Sequence, residues 1–178
     1  TEEITPIRHS KLATAVTWTP YAMERSIGRP AANLSLVDVT TGERTSVKDN
    51  VRNDQFIRSS PAGKYVYYLQ DDHYWTVNTK TREVVNITEK VGTSFIDKES
   101  DFTQKQKPPF GVAGWTKDDA AIILYDKFDL WQISPDGKGA TKLTNGASEQ
   151  VRHRYVRLDP EEEFIDPAQP IYVSTFGL

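Results

Sequence analysis

The chain has 178 residues, a net charge of −3 and no cysteine. It is long enough for one domain with its own core, and the lack of cysteine excludes disulfides, cysteine-ligated zinc and thiol catalysis. The mildly acidic charge argues against a nucleic-acid partner, which needs many cations on one face, and no apolar run approaches the roughly 20 residues of a membrane span.

The first predicted unit covers residues 12–48 and is clear in its second half. Residues 34–38 (LSLVD) alternate like a strand, residues 40–42 (TTG) form a turn, and Val47 belongs to a last strand. Asp38, at the end of the alternating strand, is 40 residues before its counterpart Asn78, a spacing typical of propeller blades.

The second predicted unit covers residues 51–90. It contains a turn at 60–64, a strand at 65–69, a second strand at 73–78, and a short last strand at 86–88. Two of the four tryptophans, Trp75 and Trp131, occupy the same repeat position, which favours packing between neighbouring units over a stacking platform for sugars or nucleic acid.

Residues 92–110 form an insertion between the second and third units. The insertion contains the charged run 97–101 (DKESD) and the pair Pro108-Pro109. Its length predicts a long surface loop, with room for a short turn of helix.

The third predicted unit covers residues 111–146 and repeats the second. Residues 59–88 align with residues 115–144 over thirty positions without a gap. The apolar run 121–125 is typical of an inner strand that neighbours cover on both faces. The turn Pro135-Asp136-Gly137 supplies the backbone angles that a hairpin needs.

A fourth, truncated unit covers residues 151–178, with a turn near Asp159-Pro160 and predicted strands at 164–165 and 171–174. Repeated units of this size predict an all-β fold: a single partial β-propeller domain, 1–178, of consecutive four-stranded antiparallel blades with one long inserted loop.

The third unit also carries a family resemblance. Residues 130–137 (LWQISPDG) followed by 142–144 (KLT) resemble the TolB/dipeptidyl-peptidase type of propeller blade. Residues 114–119 and 123–131 are similar to the propeller of large prolyl-oligopeptidase-family proteins of Bacteroidetes-type bacteria. Residues 19–23 and 154–162 fit this too, so the resemblance covers most of the chain.

The resemblance implies a role without catalysis in this chain. In that family the propeller precedes an α/β-hydrolase domain whose serine lies in a G-x-S-x-G elbow, and no serine here has that context. The implied partners are therefore a C-terminal hydrolase domain and its peptide substrate, and the implied compartment is the periplasm. We expect no catalytic, cofactor-binding or metal-binding residue in the chain itself.

The inserted loop is the candidate surface for substrate or partner, because it interrupts a regular period. Its candidate residues are Phe95, Asp97, Lys98, Glu99, Asp101, Phe102 and Phe110.

Three other groups are interpreted as structural. The run 161–163 (EEE) follows a turn and is expected to be a solvated turn. The group Asp71-Asp72-His73 is interpreted as turn chemistry, since Lys and Phe occupy the equivalent places of the third unit. His9 and His153 lack a partner at metal-ligand spacing.

Two other functions stay open. The chain could be a stand-alone TolB-like periplasmic module that binds protein or glycan, distinguished by whether a G-x-S-x-G domain follows in the gene. A propeller-type glycosidase would need a spaced carboxylate pair, which cannot be assigned here. By itself, a partial propeller is expected to self-associate through its open ends.

Overall fold

A computed structural model describes residues 2–52, 54–103 and 106–177. The strands are β1 (Glu2–Pro6), β2 (Leu12–Thr17), β3 (Ala31–Asp38), β4 (Arg44–Arg52), β5 (Arg58–Ser59), β6 (Tyr65–Gln70), β7 (His73–Asn78), β8 (Val84–Asn86), β9 (Val112–Trp115), β10 (Ile122–Tyr125), β11 (Leu130–Ile133), β12 (Ala140–Lys142), β13 (Val151–Tyr155) and β14 (Val173–Gly177). The α-helix that the described residues contain, α1, is Ala22–Ser26, and short 3₁₀ turns lie at Thr19–Tyr21, Asp54–Phe56, Lys117–Asp119 and Gly146–Ser148.

The strands form consecutive antiparallel sheets. Strands β1–β4 make sheet 1, β5–β8 sheet 2 and β9–β12 sheet 3, each paired in chain order, while β13 and β14 make the two-stranded sheet 4. The structure is thus mostly β and contains three four-stranded antiparallel sheets, as predicted, whereas the fourth unit has two strands.

Sheets 2 and 3 share one register, as the gapless alignment predicts. Positions 56 residues apart pair in the same way in both sheets. The equivalent pairs are Val66 with Val77 and Ile122 with Ile133, and Tyr68 with Trp75 and Leu124 with Trp131. The repeat in the sequence is therefore a repeat in the structure, residue by residue.

Side-chain hydrogen bonds repeat together with the register. The Thr88 hydroxyl accepts the Tyr74 N–H at 3.0 Å, and the equivalent Thr144 hydroxyl accepts the Leu130 N–H at 3.1 Å. Each threonine lies just beyond the last strand of its sheet, and its hydroxyl satisfies a backbone donor of the third strand.

The core lies between the sheets. One apolar cluster joins sheets 1 and 2, a second joins sheets 2 and 3, and a third joins sheets 3 and 4. Because side chains alternate across a strand, Val66 and Tyr68 face sheet 1 while Leu69 faces sheet 3. Sheets 2 and 3 are thus covered on both faces.

In sheets 2 and 3, the turn after the first strand contacts the preceding sheet. In sheet 2 this turn contains Gly63, with φ +74°, and a Cβ there would lie 2.0 Å from the Arg8 carbonyl oxygen. In sheet 3 the equivalent residue is Asp119, with φ +56° and 2% exposure. Its carboxylate accepts hydrogen bonds from the Ser60 hydroxyl and from the N–H groups of Ala62 and Lys64, both at 3.0 Å.

Sheet 1 is larger than the predicted unit 12–48. Its first strand, β1, has the polar sequence EEITP, with all five residues exposed. Its last strand extends to Arg52. The sequence of β1 shows no alternation that would have predicted a strand.

In the fourth unit the strand predicted at Phe164-Ile165 is wrong. Residues 156–172 connect β13 to β14, and Ile165 turns inward to sheet 3, where its N–H donates to the Trp115 carbonyl at 2.8 Å. Its side chain is 2% exposed and packs over Gly114, which has no side chain to block it. The connector therefore joins sheet 4 to sheet 3.

Candidate functional site: the loop-bearing face

The long insertions gather at one end of the sheets. Because successive strands are antiparallel, the connections alternate between two ends. We call the end that carries segments 18–30, 71–72, 87–111, 126–129 and 143–150 the loop-bearing face. The other end, the short-turn face, carries the tight turns of sheets 1–3 and the connector 156–172.

The base of the insertion 92–110 is a small antiparallel bridge. Ile96 pairs with Pro109, the Asp97 N–H donates to the Pro108 carbonyl at 2.8 Å, and the Phe110 N–H donates to the Phe95 carbonyl at 3.0 Å. The described residues of the insertion contain no helical turn.

Phe95 and Ile96 anchor this base in the core. Both are 1% exposed and belong to the apolar cluster between sheets 2 and 3. The Phe95 ring meets the Trp131 ring edge-on, with centroids 6.5 Å apart. The prediction that Phe95 faces a substrate or partner is therefore corrected, because its side chain is enclosed between two sheets.

The outer part of the insertion is held by two ammonium groups. The Lys107 Nζ donates to the carbonyls of Ser100 and Phe102, at 2.9 and 2.8 Å. The Lys127 Nζ forms an ion pair with Glu99 at 2.7 Å, which holds the pKa of the Glu99 carboxyl below its ordinary value. The loop is thus tied both to itself and to the β10–β11 turn.

The other predicted loop residues are at least partly accessible. Lys98, Glu99, Asp101 and Phe102 are exposed, and Asp97 and Phe110 are half-buried. Their role at a substrate or partner surface remains a prediction.

A helical segment that the sequence did not predict lies on the same face. Arg25 pairs with Asp54 at 2.6 Å and lies over the Trp18 ring, 5.3 Å from its centroid. This fixes α1 so that Met23 and Ile27, spaced four residues apart, point to solvent with exposures of 75% and 62%. A five-residue helix is too short for a periodic signal in the sequence.

Segment 18–30, which contains α1, and the insertion 92–110 border a cleft of about 730 Å³. Its lining residues are Gly28, Arg29, Pro30, Arg52, Asp71, Asp72 and Gln106. The prediction that Asp71 and Asp72 form a turn is confirmed: they connect β6 to β7 with φ angles of +52° and +64°.

Exposed charges on this face are mainly acidic among the described residues. The exposed acids are Asp71, Asp72, Glu89, Glu99, Asp101 and Glu149, and the exposed cations are Arg29, Lys90 and Lys98. With Met23, Ile27 and Phe102, the face combines accessible apolar side chains with mainly acidic exposed charges.

Asp129 is a buried carboxylate that organises the connector to sheet 4. Burial opposes its ionisation, but hydrogen bonds from the Thr144 hydroxyl and the N–H groups of Gly146 and Ala147 hold its pKa below the ordinary value. His153 Nδ1 lies 3.7 Å away. These contacts show that Asp129 and His153 lie at the connection between sheets 3 and 4 and stabilise it. His9, by contrast, is exposed on the short-turn face.

The predicted acidic turn lies in the 156–172 connector on the short-turn face. Glu161 and Glu163 are exposed, and Glu163 lies 3.4 Å from Arg8. Glu162 accepts a hydrogen bond from the Tyr155 hydroxyl. Burial and this carboxylate raise the pKa of Tyr155 to about 12.

Across residues 2–52, 54–103 and 106–177, no three acidic or histidine side chains are grouped so that they could hold a metal ion. In the same residues, no helix is long and apolar enough to cross a membrane.

The fold and the face together define a mostly β protein of three consecutive four-stranded antiparallel sheets and a two-stranded fourth, with most of its long loops, other than the connector 156–172, at one end. No protein-family model matches the chain, and no curated protein matches it either.

Proposed function

We propose that the chain is a non-catalytic β-propeller segment of a larger prolyl-oligopeptidase-like serine peptidase. In this role it limits which peptides reach the active site and supports an α/β-hydrolase domain. A periplasmic location belongs to the same proposal. The observation that carries it is the identical register of sheets 2 and 3, combined with face-to-face stacking of the sheets in chain order.

This arrangement supports blades because each sheet is one supersecondary unit that buries its faces against its neighbours. Sheets 2 and 3 have apolar clusters on both faces, and a repeat protein is stabilised by such interfaces. In each four-stranded sheet the first strand is at one edge and the fourth at the other, the order of strands in a propeller blade.

The loop-bearing face supports the choice of partner surface. It carries the insertion residues Asp97, Lys98, Glu99, Asp101, Phe102 and Phe110 together with the exposed Met23 and Ile27. We assign this face to contact with the hydrolase domain or its peptide substrate.

A structure of the product of the whole reading frame tests the architecture. The expected result is a ring in which sheets 1–3 are adjacent blades, with a G-x-S-x-G serine in a separate domain beyond the loop-bearing face. A two-layer sandwich, or a hydrolase domain on the short-turn face, would contradict the proposal.

Peptide kinetics test the role of the insertion in that same product. Replacing residues 98–107 by a short Gly-Ser linker keeps the paired base and removes the outer loop. We expect the ratio of kcat/KM between long and short peptides to change. The matched control replaces residues 80–82, in the exposed β7–β8 turn of the short-turn face, and equal effects of the two replacements would contradict the assignment.

The alternative is a stand-alone TolB-like module that binds protein or glycan, and the charged cleft beside α1 favours it. A reading frame that encodes these sheets without any G-x-S-x-G domain would support the module and remove the peptidase.

The chain by itself is proposed to self-associate through its first and last sheets. Ile4 in sheet 1 and Phe176 in sheet 4 are 52% and 58% exposed. In sheets 2 and 3, by contrast, apolar side chains are covered by a neighbouring sheet on each face. Light scattering over a range of concentrations should show association, and a monodisperse monomer at high concentration would contradict it.

A further inference from the structure

The cleft on the loop-bearing face is built where sheets 1 and 2 meet. At the end of β4 the Arg52 N–H donates to the Gln70 side-chain oxygen at 2.9 Å. Gln70 is the last residue of β6, and Asp71 and Asp72 follow it directly. This bond fixes the acidic turn beside the end of β4.

The two walls of the cleft carry opposite charges. Arg29 and Arg52 come from sheet 1 and its α1 segment, and Asp71 and Asp72 come from sheet 2. In the part of the chain that the structure describes, none of these four side chains forms an ion pair within 4.0 Å. Two arginines and two aspartates therefore border one space without forming direct ion pairs with one another.

The dimensions of the cleft suit a small ligand. Its volume of about 730 Å³ lies within the roughly 300–1,000 Å³ of small-molecule sites. An extended peptide advances about 3.3–3.6 Å per residue, so each added residue moves its terminal ammonium and terminal carboxylate apart by one such step.

We infer that this cleft binds a small zwitterion, a molecule with a carboxylate at one end and an ammonium at the other, such as a short peptide with free termini. The carboxylate pairs with Arg29 and Arg52, since guanidinium groups bind carboxylates through two parallel hydrogen bonds. The ammonium pairs with Asp71 and Asp72. The inference concerns this chain alone and does not depend on the proposed peptidase role.

Peptides with a blocked terminus test whether the cleft recognises both the ammonium and the carboxylate of the ligand. Trialanine, N-acetyl-trialanine and trialanine amide are titrated into the wild-type chain, and amide resonances are followed by NMR. We expect saturable shifts centred on residues 28–30, 71–72 and 106 with trialanine, and affinity at least about tenfold weaker when either terminus is blocked. Equal affinity for the three peptides, or no saturable shift with trialanine, would overturn the inference.

Peptide length provides a second measurement on the wild-type chain. Glycine, diglycine, triglycine and tetraglycine differ in the distance between their charges and have no side chains. We expect the affinity to reach a maximum at one of these lengths, because only one separation of the two charges can satisfy both walls at once. Affinity that is the same for all four lengths would contradict recognition of both ends.

Two variants test the walls separately. Arg52→Gln removes a cation while the Arg52 N–H bond to Gln70 stays, and Asp72→Asn suits the positive φ because Asn adopts that region readily. Each should weaken trialanine binding about tenfold. Lys80→Gln and Asp118→Asn, both on the short-turn face, are the controls, and Asp118 has a matching positive φ of +57°. If the controls weaken trialanine binding as much as the cleft variants do, the loss comes from the net charge of the chain, and the assignment is overturned.

Discussion

At the junction between sheets 1 and 2, the turn at Gly63 lies against the Arg8 carbonyl and leaves no room for a side chain. At the junction between sheets 2 and 3, the same turn carries Asp119, whose carboxylate accepts hydrogen bonds from Ser60, Ala62 and Lys64. Both residues have positive φ, so the backbone is alike and the side chain differs.

The two junctions differ in a second way. The junction between sheets 2 and 3 also receives Phe95 and Ile96 from the insertion, whereas the junction between sheets 1 and 2 is filled by residues of the sheets and the adjoining short segments. One junction is therefore closed by direct backbone contact and the other by an added side chain. The predictions below test this contrast, in order of decreasing effect.

The largest effect is expected from Phe95→Ala. The substitution empties a fully buried site between sheets 2 and 3, and large-to-small changes of this kind cost about 3–5 kcal/mol. Urea unfolding of the chain measures the change. Phe102→Ala, at a 44% exposed ring of the same insertion, is the control and should cost less than about 0.5 kcal/mol; similar losses for both would place Phe95 outside the core.

Gly63→Ala should be the next most damaging change. A Cβ 2.0 Å from the Arg8 oxygen forces sheets 1 and 2 apart, in addition to the cost of positive φ, for a total of about 2–4 kcal/mol. Gly42→Ala is matched in φ, at +78°, but meets nothing within 4 Å and should cost about 1 kcal/mol. A loss at Gly63 no greater than at Gly42 would refute the close contact.

Asp119→Ala removes the link between sheets 2 and 3. The hydroxyl of Ser60 and two partly buried backbone N–H groups lose this acceptor, at a cost of about 2 kcal/mol in the free energy of unfolding. Asp118→Ala controls for the backbone, because Asp118 has φ +57° and is exposed. If both variants unfold at the same urea concentration, the bonds of Asp119 contribute nothing to stability.

Asp136→Asn should have the smallest effect and the clearest pH dependence. Hydrogen bonds from the Ser134 hydroxyl and the Lys138 N–H lower the pKa of Asp136 to about 2, from 3.8. Because the pKa is depressed in the fold, the carboxylate stabilises the protein above pH 3.8, and this contribution is lost as the pH falls towards 2.

The Asp136 carboxylate is largely exposed, so the destabilisation of Asp136→Asn at pH 7 should stay below about 1 kcal/mol. Unfolding at pH 7 and at pH 2 measures it. A difference between wild type and variant that is the same at both pH values would show that ionisation of Asp136 is not involved. Sheet 2 has Lys80 at the equivalent position, so no such pH dependence is expected from its turn.

The interior strands could be predicted because their side chains face apolar neighbours on both sides. The predicted strand 73–78 coincides with β7, and the predicted run 121–125 contains β10. By contrast, β13 has the sequence VRHRY, and its strand geometry comes from pairing with β14, which no local pattern encodes.

The candidate site was harder to predict from the sequence. The apolar pair Phe95-Ile96 at the start of the insertion is a signal for a buried base, but the charged run that follows it favours the incorrect prediction of Phe95 at the surface. The cleft joins residues from three separate segments, and the bond between Arg52 and Gln70 that creates it depends on how sheets 1 and 2 pack.

The paired base of the insertion has a practical consequence. Since Asp97 is bonded to Pro108, and Phe110 to Phe95, the two ends of segment 98–107 lie side by side and are fixed by the interior. A foreign sequence of different length could be grafted between them without altering the neighbouring strand pairs. This position is therefore a suitable insertion site for a chosen epitope or reporter.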